Sequence, residues 1–147
     1  MTQTTQTSHP NEIRLSQEEI DSFGDMVHFT KTLGVIIESA SQTEIIGRLP
    51  INRALTNHTP NVHGGAIMSL GDALGAIGAY LNMPEGAAGT TTIESKTNFI
   101  KPAMDGDTLT GISTPLSRGR RLSVWQTEIT RGDGERVAMV TQTQIYL

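Results

Sequence analysis

The chain has 147 residues and no cysteine, with 36% hydrophobic residues, 18% charged residues and a formal net charge of −4 at pH 7. This composition fits one globular domain with a core, and the lack of cysteine excludes disulfides, thiol nucleophiles and thiolate-bound metals. The acidic balance argues against a nucleic-acid partner. The sequence contains no run of 18 apolar residues free of charge, so we expect no membrane partner.

The first twelve residues are polar and rich in Thr and Gln, and they lack the apolar region of a signal peptide. We therefore expect a disordered tail over 1–12, a single domain over 13–147 and a cytoplasmic location.

Hydrophobic patterning predicts a short first helix, a long middle helix and strands elsewhere. Ser16, followed by Glu18 and Glu19, is typical of a helix start and predicts a helix that ends between residues 23 and 26. Pro115 cannot donate to a strand pairing, so we expect it to close its strand or to lie at a sheet edge. The predicted strands cover residues 33–40, 43–50, 89–100, 107–114, 121–131 and 136–147.

The most informative segment begins with Asn-Val-His-Gly-Gly at 61–65 and continues as a run that is apolar almost all the way round. The run predicts a buried helix of about four turns, from Gly65 to about Leu81. It contains one carboxylate, Asp72, which is costly to bury without compensation. The glycines leave N–H groups at the positive end of the helix dipole. This pairing of donors with an acid suits a reaction that produces an oxyanion.

The order of elements predicts an α+β fold, because a sheet of about six strands can curl round one apolar helix and bury it. Gly71, Gly75 and Gly78 form a stripe along one side of that helix, so we expect a close approach of its backbone to the sheet.

Three motifs have a specific combined spacing: His63-Gly64-Gly65 with Asp72 nine residues after the histidine, 98–103 with Gly106, and 118–121 running into 124–126. Because it carries these three motifs, the chain from about residue 33 onward resembles the hotdog-fold acyl-CoA thioesterases. The branch is that of the phenylacetic-acid-pathway, 4-hydroxybenzoyl-CoA and dihydroxynaphthoyl-CoA thioesterases. The resemblance implies a hotdog fold, in which a mainly antiparallel sheet wraps a long central helix.

The resemblance also implies a reaction, the hydrolysis of acyl-CoA to a free acid and CoA without a cofactor. Asp72 is then the catalytic carboxylate, either as a nucleophile that forms an anhydride or as a general base on water. The N–H of Gly64, with His63 beside it, polarises the thioester carbonyl, and Asn57 helps to hold the water or the carbonyl.

In the family, a Ser or Thr hydroxyl that supports the attacking water occurs at one of two positions, and this chain departs from the family at one of them. One family position, four residues after the acid, is Ala76 here and cannot serve. The other falls on the next strand, at Thr92, or at Thr91 if the loop gap is placed differently.

The substrate contacts implied by the resemblance lie at the helix start and at a later hairpin. The planar guanidinium group of arginine can donate two hydrogen bonds to one phosphate, which suits the phosphates of CoA. We expect Arg120 or Arg121, rather than Arg118, to make this contact. The residues expected to contact the substrate or CoA are Asn61, Gly65, Arg118, Gly119, Arg120 and Arg121.

Each of these features also has a purely structural interpretation. Asp72 can cap a loop or pair with a buried partner, the two glycines can form a tight turn, and the arginines can be a solvated turn. His63 alone is more often a loop or core residue, and the four histidines lack H-x-x-H or H-x-x-x-H spacing, so we expect no metal.

The resemblance implies a homodimer, possibly a dimer of dimers, in which the helix acid of one subunit faces the oxyanion donors of the other. A non-catalytic acyl-CoA binding or sensing module on the same fold is the alternative. A hotdog hydratase fits poorly, because it needs a histidine five residues after the acid, where this chain has Ile77. The acyl group, aromatic or aliphatic, stays open.

Overall fold

A computed structural model describes residues 12–147, apart from the side chain of Met26. Within these residues the helices are α1 (Gln17–Met26), α2 (His28–Leu33) and α3 (Gly64–Leu81), with a 3₁₀ turn at Arg53–Leu55. The strands are β1 (Ile36–Ala40), β2 (Ile45–Pro50), β3 (Thr90–Phe99), β4 (Thr108–Arg118), β5 (Leu122–Arg131) and β6 (Arg136–Tyr146).

The six strands form one sheet in the order β1-β2-β4-β5-β6-β3, and every neighbouring pair is antiparallel. Helix α3 lies across one face and contacts five of the strands, β2 to β6. The core between helix and sheet includes Leu70 and Leu74 of α3 and Leu109 of β4, all fully buried. This arrangement confirms the predicted α+β hotdog fold with its central helix.

Helix α3 is long and apolar enough to cross a membrane by length and composition alone. In this fold its buried positions pack against the sheet instead, which is the behaviour of the core helix of a domain. The observed helix begins at Gly64, one residue before the predicted start.

The glycine stripe of α3 (Gly71, Gly75 and Gly78) provides the predicted close approach to the sheet. A Cβ atom at these positions would lie 2.6, 2.5 and 2.4 Å from the nearest side-chain atom opposite, which is too close for any real contact. Only glycine therefore lets the helix sit at this height above the sheet. The opposing side chains are, in order, Val140 of β6, Gln142 of β6 and Trp125 of β5.

The N-terminal region confirms the first helix and corrects the element that follows it. Ser16 caps α1 in a reciprocal capping box with Glu19. The strand predicted from residue 33 begins only at Ile36, because α2 occupies the preceding residues and Gly34 ends it in a left-handed conformation (φ 84°). Helix α2 is short and lacks a side-chain cap, so the sequence offered little sign of it.

Strand β4 continues four residues beyond the predicted end, to Arg118. Pro115 pairs with Trp125 of β5, but the pairing of β4 with β2 stops at Ser113. The proline therefore lies where β4 has lost one neighbour, which is the edge position expected of a residue without an N–H group.

The tail predicted over 1–12 lies outside the described residues except for Glu12, whose carboxylate accepts a hydrogen bond from the Thr43 hydroxyl. The disordered tail and the cytoplasmic location stay predictions.

Candidate active site

The start of α3 presents one free backbone donor. His63 is the N-cap, and its Nδ1 accepts the N–H of Gly65 at 2.9 Å while its carbonyl oxygen accepts the N–H of Ala66 at 2.9 Å. Among the described residues, the N–H of Gly64 has no acceptor. The cap thus occupies two of the first three donors and leaves Gly64 to an external oxygen atom. With Nδ1 accepting, neutral His63 carries its proton on Nε2.

Gly64 opens into a small pocket of about 340 Å³ that is also lined by Asn61, Phe99 and Pro102. A Cβ atom on Gly64 would lie 3.1 Å from Cζ of Phe99, so a side chain at this position would press on the ring. The close approach of Phe99 from β3 explains why a glycine suits the first position of the helix.

Asp72, in the third turn of α3, is held from one side by a chain of hydrogen bonds that begins on the sheet. Thr92 Oγ1 of β3 donates to Asp72 Oδ1 at 2.8 Å. Gln144 Nε2 of β6 in turn donates to Thr92 Oγ1 at 2.6 Å, and Gln144 Oε1 accepts from Thr90 at 3.2 Å. The Thr92 proton is therefore directed at the carboxylate. Thr91 is exposed, as strand alternation requires, so Thr92 is the hydroxyl beside the acid.

A second glutamine of β6 approaches the same turn of the helix. Gln142 Nε2 donates to the backbone carbonyl of Asp72 at 3.3 Å, and a longer contact of 3.5 Å reaches Asp72 Oδ1. Gln142 reaches the helix because Gly75 has no side chain. Asp72 Oδ2 has no hydrogen-bond partner among residues 12–147. The carboxylate thus has one anchored oxygen atom and one available for reaction.

Gln142 and Gln144 were not predicted from the sequence, although a sequence signal for them exists. In the period of two that defines a strand, both share a face with Val140 and Tyr146. Two amides on an otherwise apolar face indicate a buried polar site, and Gln142 and Gln144 are 1% and 0% exposed.

One chain does not bring the free N–H and the carboxylate to the same point. Gly64 and Asp72 are eight residues apart on a continuous helix, which is about 12 Å along its axis. They also line different cavities, since Asp72 borders a larger one of about 840 Å³ beside α1 and α2. A reacting carbonyl carbon can therefore contact only one of them within a single subunit.

The two predicted asparagines lie in the loop before α3 and do not contact Asp72. Asn57 Oδ1 accepts both the N–H and the hydroxyl of Thr59 at 2.7 Å, so its carbonyl oxygen is engaged within the loop. Asn61 is exposed and borders the small pocket beside Gly64. Neither asparagine is brought to the acid in one chain.

The arginine segment forms the turn between β4 and β5, where the N–H of Gly119 donates to the carbonyl of Leu122 at 2.9 Å. Arg118 Nη1 contacts Asn82 Oδ1 at 3.4 Å, just after the last residue of α3. Arg120 and Arg121 are exposed and make no ion pair within the described residues. Their guanidinium groups are therefore open to an anion, at the opposite end of α3 from Gly64.

The described residues contain no group of three or more His, Asp or Glu side chains arranged to hold a metal ion.

Residues 59–138 match the family model described as the thioesterase superfamily. The chain is 30% identical to a Deinococcus radiodurans protein provisionally described as an esterase, over 82% of this chain and 80% of that protein. It is 29% identical to the 1,4-dihydroxy-2-naphthoyl-CoA hydrolase of Escherichia coli, over 72% of this chain and 74% of that one.

Among solved structures, the Escherichia coli PaaI protein from the phenylacetic acid degradation operon superposes with a TM-score of 0.80 at 20% identity. The superposition covers 88% of this chain and 91% of that one, and it supports the fold. The family match spans more than half of the chain and includes the start of α3, Asp72 and Thr92. The chain belongs to the thioesterase superfamily and is a hotdog-fold thioester hydrolase.

Proposed function

We propose that this protein hydrolyses acyl-CoA thioesters, with Asp72 as the catalytic carboxylate and the N–H of Gly64 as the donor to the carbonyl oxygen. The observation that carries the proposal is the one-sided anchoring of Asp72, in which Thr92 holds Oδ1 and Oδ2 keeps no partner among the described residues. Asp72 borders a cavity, so an oxygen atom that keeps no protein partner there is open to a water molecule or to a substrate carbonyl. The named acyl-CoA substrates of the relatives agree with this assignment.

The site is completed by a second copy of the chain. In a two-fold dimer with its two α3 helices antiparallel, Asp72 of one protomer faces Gly64 of its partner, and two equivalent sites result. Strand β3 supports this assembly, because it is an edge strand with Ile93 and Phe99 more than half exposed. Two such dimers can associate further into a tetramer.

Two versions of the chemistry use the same atoms. As a general base, Asp72 Oδ2 removes a proton from water, whose oxygen atom attacks the carbonyl carbon. As a nucleophile, Oδ2 attacks that carbon itself and forms a mixed anhydride, which water then hydrolyses. In both versions the Gly64 N–H stabilises the oxyanion, the C–S bond breaks and CoA leaves as a thiolate that takes up a proton. Neither version requires a cofactor.

A single turnover in H₂¹⁸O can identify the nucleophilic version by labelling of Asp72. When water attacks the anhydride at the aspartyl carbon, ¹⁸O enters the Asp72 carboxylate, and mass spectrometry of the peptide detects it. General-base catalysis places ¹⁸O in the released acid and leaves Asp72 unlabelled, as does attack of water on the anhydride at the acyl carbon; trapping of the anhydride with hydroxylamine distinguishes these two.

The test of the proposal is Asp72→Asn, which keeps the shape of the side chain but removes its basicity and charge. We expect kcat for CoA thiol release to fall by about 10²-fold or more. Asp105→Asn, at an exposed turn, is the matched control and should retain the original rate. A folded Asp72→Asn variant with undiminished kcat overturns the assignment. If the protein only binds acyl-CoA, neither the unchanged chain nor the Asp72→Asn variant releases CoA thiol.

A further inference from the structure

Ser69 lies about one turn before Asp72 on α3, and the two half-buried side chains border the same cavity of about 840 Å³. The Ser69 hydroxyl donates to the backbone carbonyl of Gly65 at 2.7 Å, and its oxygen atom accepts no hydrogen bond from residues 12–147. The hydroxyl proton is thus committed to the helix, whereas both lone pairs of the oxygen atom stay available to a donor in the cavity.

We propose that Ser69 is a second catalytic residue, whose oxygen atom accepts one hydrogen of the attacking water while Asp72 Oδ2 removes the other. This role rests on the general-base version of the proposed function. The water oxygen attacks the carbonyl carbon and keeps the hydrogen that Ser69 accepts. The C–S bond then breaks, the proton on Asp72 passes to the CoA thiolate, and the acid is released.

A water molecule needs two acceptors to attack in a fixed orientation. When the base alone accepts from it, the water rotates about that single hydrogen bond and its lone pair points in many directions. A second acceptor stops this rotation and directs the lone pair at the carbonyl carbon. Methanol has only one hydroxyl hydrogen and cannot use a second acceptor. This difference between the two nucleophiles makes the role of Ser69 measurable.

The spacing of Ser69 and Asp72 suits one bridging water. Residues three apart on a helix have Cβ atoms about 5–6 Å apart, and helical side chains lean toward the helix start, so the Asp72 carboxylate extends toward the turn of Ser69. A water that donates to two oxygen atoms at about 2.8 Å spans about 4.5 Å between them. Because Thr92 already holds Oδ1, Oδ2 is the oxygen atom left for this water.

The other side chains near Asp72 are less suited to hold this water. Ala76, one turn after Asp72, carries no polar side-chain atom. Thr92 Oγ1 donates to Asp72 Oδ1 and accepts from a glutamine of β6, which leaves it one lone pair. Thr90 also borders the cavity, but it lies two residues from Thr92 on β3, about 6.6 Å along the strand. Ser69 is therefore the acceptor that the site offers to the second hydrogen.

The experiment measures how each variant divides acyl groups between water and methanol. In dilute aqueous methanol, acyl-CoA yields the free acid by hydrolysis and the methyl ester by methanolysis, and both reactions release CoA. The probe is hexanoyl-CoA or benzoyl-CoA, whichever the unchanged chain hydrolyses faster. In Ser69→Ala we expect kcat for hydrolysis to fall about fivefold at constant KM and the ester-to-acid ratio to rise about fivefold, as for one lost hydrogen bond. A general loss of structure slows both reactions alike and leaves the ratio unchanged.

Further substitutions separate the lost acceptor from the added space. Ser69→Cys keeps a side chain of similar size but offers only a weak sulfur acceptor, so the ratio should rise as in Ser69→Ala. Ser69→Thr keeps the hydroxyl and should keep the ratio. Thr32→Ala is the matched control, because the Thr32 hydroxyl donates in the same way to the carbonyl of His28, at 2.9 Å, and does not border the cavity.

Alanine is favoured in helices, so we expect Ser69→Ala to fold, and circular dichroism verifies each variant. If Ser69→Ala does not fold, Ser69→Cys provides the result.

An unchanged ester-to-acid ratio in folded Ser69→Ala overturns the inference, whatever happens to kcat. So does a ratio that rises in Ser69→Ala but not in Ser69→Cys, which assigns the effect to space for the methyl group, and so does a larger rise in Thr90→Val. The proposed function fails separately, because it requires Asp72→Asn to lose turnover and places no demand on the ester-to-acid ratio.

Discussion

The two proposed catalytic groups, the N–H of Gly64 and the carboxylate of Asp72, lie on one helix but are positioned in different ways. At the start of α3 the donor site comes from four consecutive residues, because His63 caps Gly65 and Ala66 while the N–H of Gly64 keeps no acceptor among the described residues. At the third turn, Asp72 depends on Thr92 and Gln142, which are 20 and 70 residues away. The proposed oxyanion donor is therefore a product of local backbone geometry, and the placement of the acid is a product of the sheet.

The largest expected effect comes from removing the local donor. Gly64→Pro deletes the N–H at the first helical position, where proline is well tolerated, and His63 already has the extended conformation that a following proline requires (φ −66°, ψ 133°). We expect kcat to fall by about 10²- to 10³-fold with the helix intact.

Gly64→Ala is the matched control for this variant. It introduces the same contact with Phe99, since any Cβ atom there lies 3.1 Å from the ring, but it keeps the N–H group. A comparable loss of kcat in both variants would show that crowding is the cause and that the Gly64 donor has no part in catalysis.

A smaller fall in kcat is expected when the sheet residues that support Asp72 are changed. Thr92→Val removes the donor to Asp72 Oδ1, and we expect kcat to fall by about tenfold, as for a lost hydrogen bond to a charged group. Thr92→Ser should recover most of the activity.

Gln144→Met should lower kcat by about threefold, because Gln144 acts only by orienting the Thr92 hydroxyl.

The double variant tests whether these residues act in series. When Thr92 is already valine, Gln144→Met should have little further effect on kcat, because there is no hydroxyl left to orient. Additive losses in the double-mutant cycle would instead mean that Gln144 supports packing alone. Kinetic constants for the four proteins at one pH provide the answer.

The smallest effect is expected at the arginine turn, far from both ends. Arg120→Ala and Arg121→Ala should raise KM for acyl-CoA a few-fold with little change in kcat, because a remote phosphate contact binds ground and transition states about equally. The difference should shrink as salt increases and with short thioesters that lack the nucleotide.

Arg136→Ala, which breaks an exposed ion pair with Glu128, is the control for lost surface charge. A fall in kcat at constant KM in the Arg120 or Arg121 variants would contradict a CoA contact at this turn.

The same contrast explains how much could be predicted from the sequence. The central helix and its glycine stripe follow from a continuous pattern within twenty residues, as does the donor at Gly64. The resemblance indicated Thr92, but the bond from Thr92 to Asp72 depends on the register of β3 against β6, which a single sequence does not specify. The two glutamines were missed for the same reason, since their role depends on strands that are distant along the chain.

Helix α2 was missed because it is short and its helical preference is weak. Its six residues include two threonines and a phenylalanine, and among its described contacts it depends on α1 and α3 more than on its own pattern. The cavity beside it was equally hidden, because its walls come from segments that meet only in the folded chain.

The glycine stripe restricts which residues evolution can place on the inner face of α3, whereas the outer face tolerates substitution. On the inner face, each methyl group added at Gly71, Gly75 or Gly78 would lift the helix and move Asp72 away from Thr92. On the outer face, substitutions at positions such as Ala76 change the shape of the cavity and leave the helix in place. Descendants of this chain can therefore reshape the cavity by substitutions on one face while the placement of Asp72 beside Thr92 is inherited unchanged on the other.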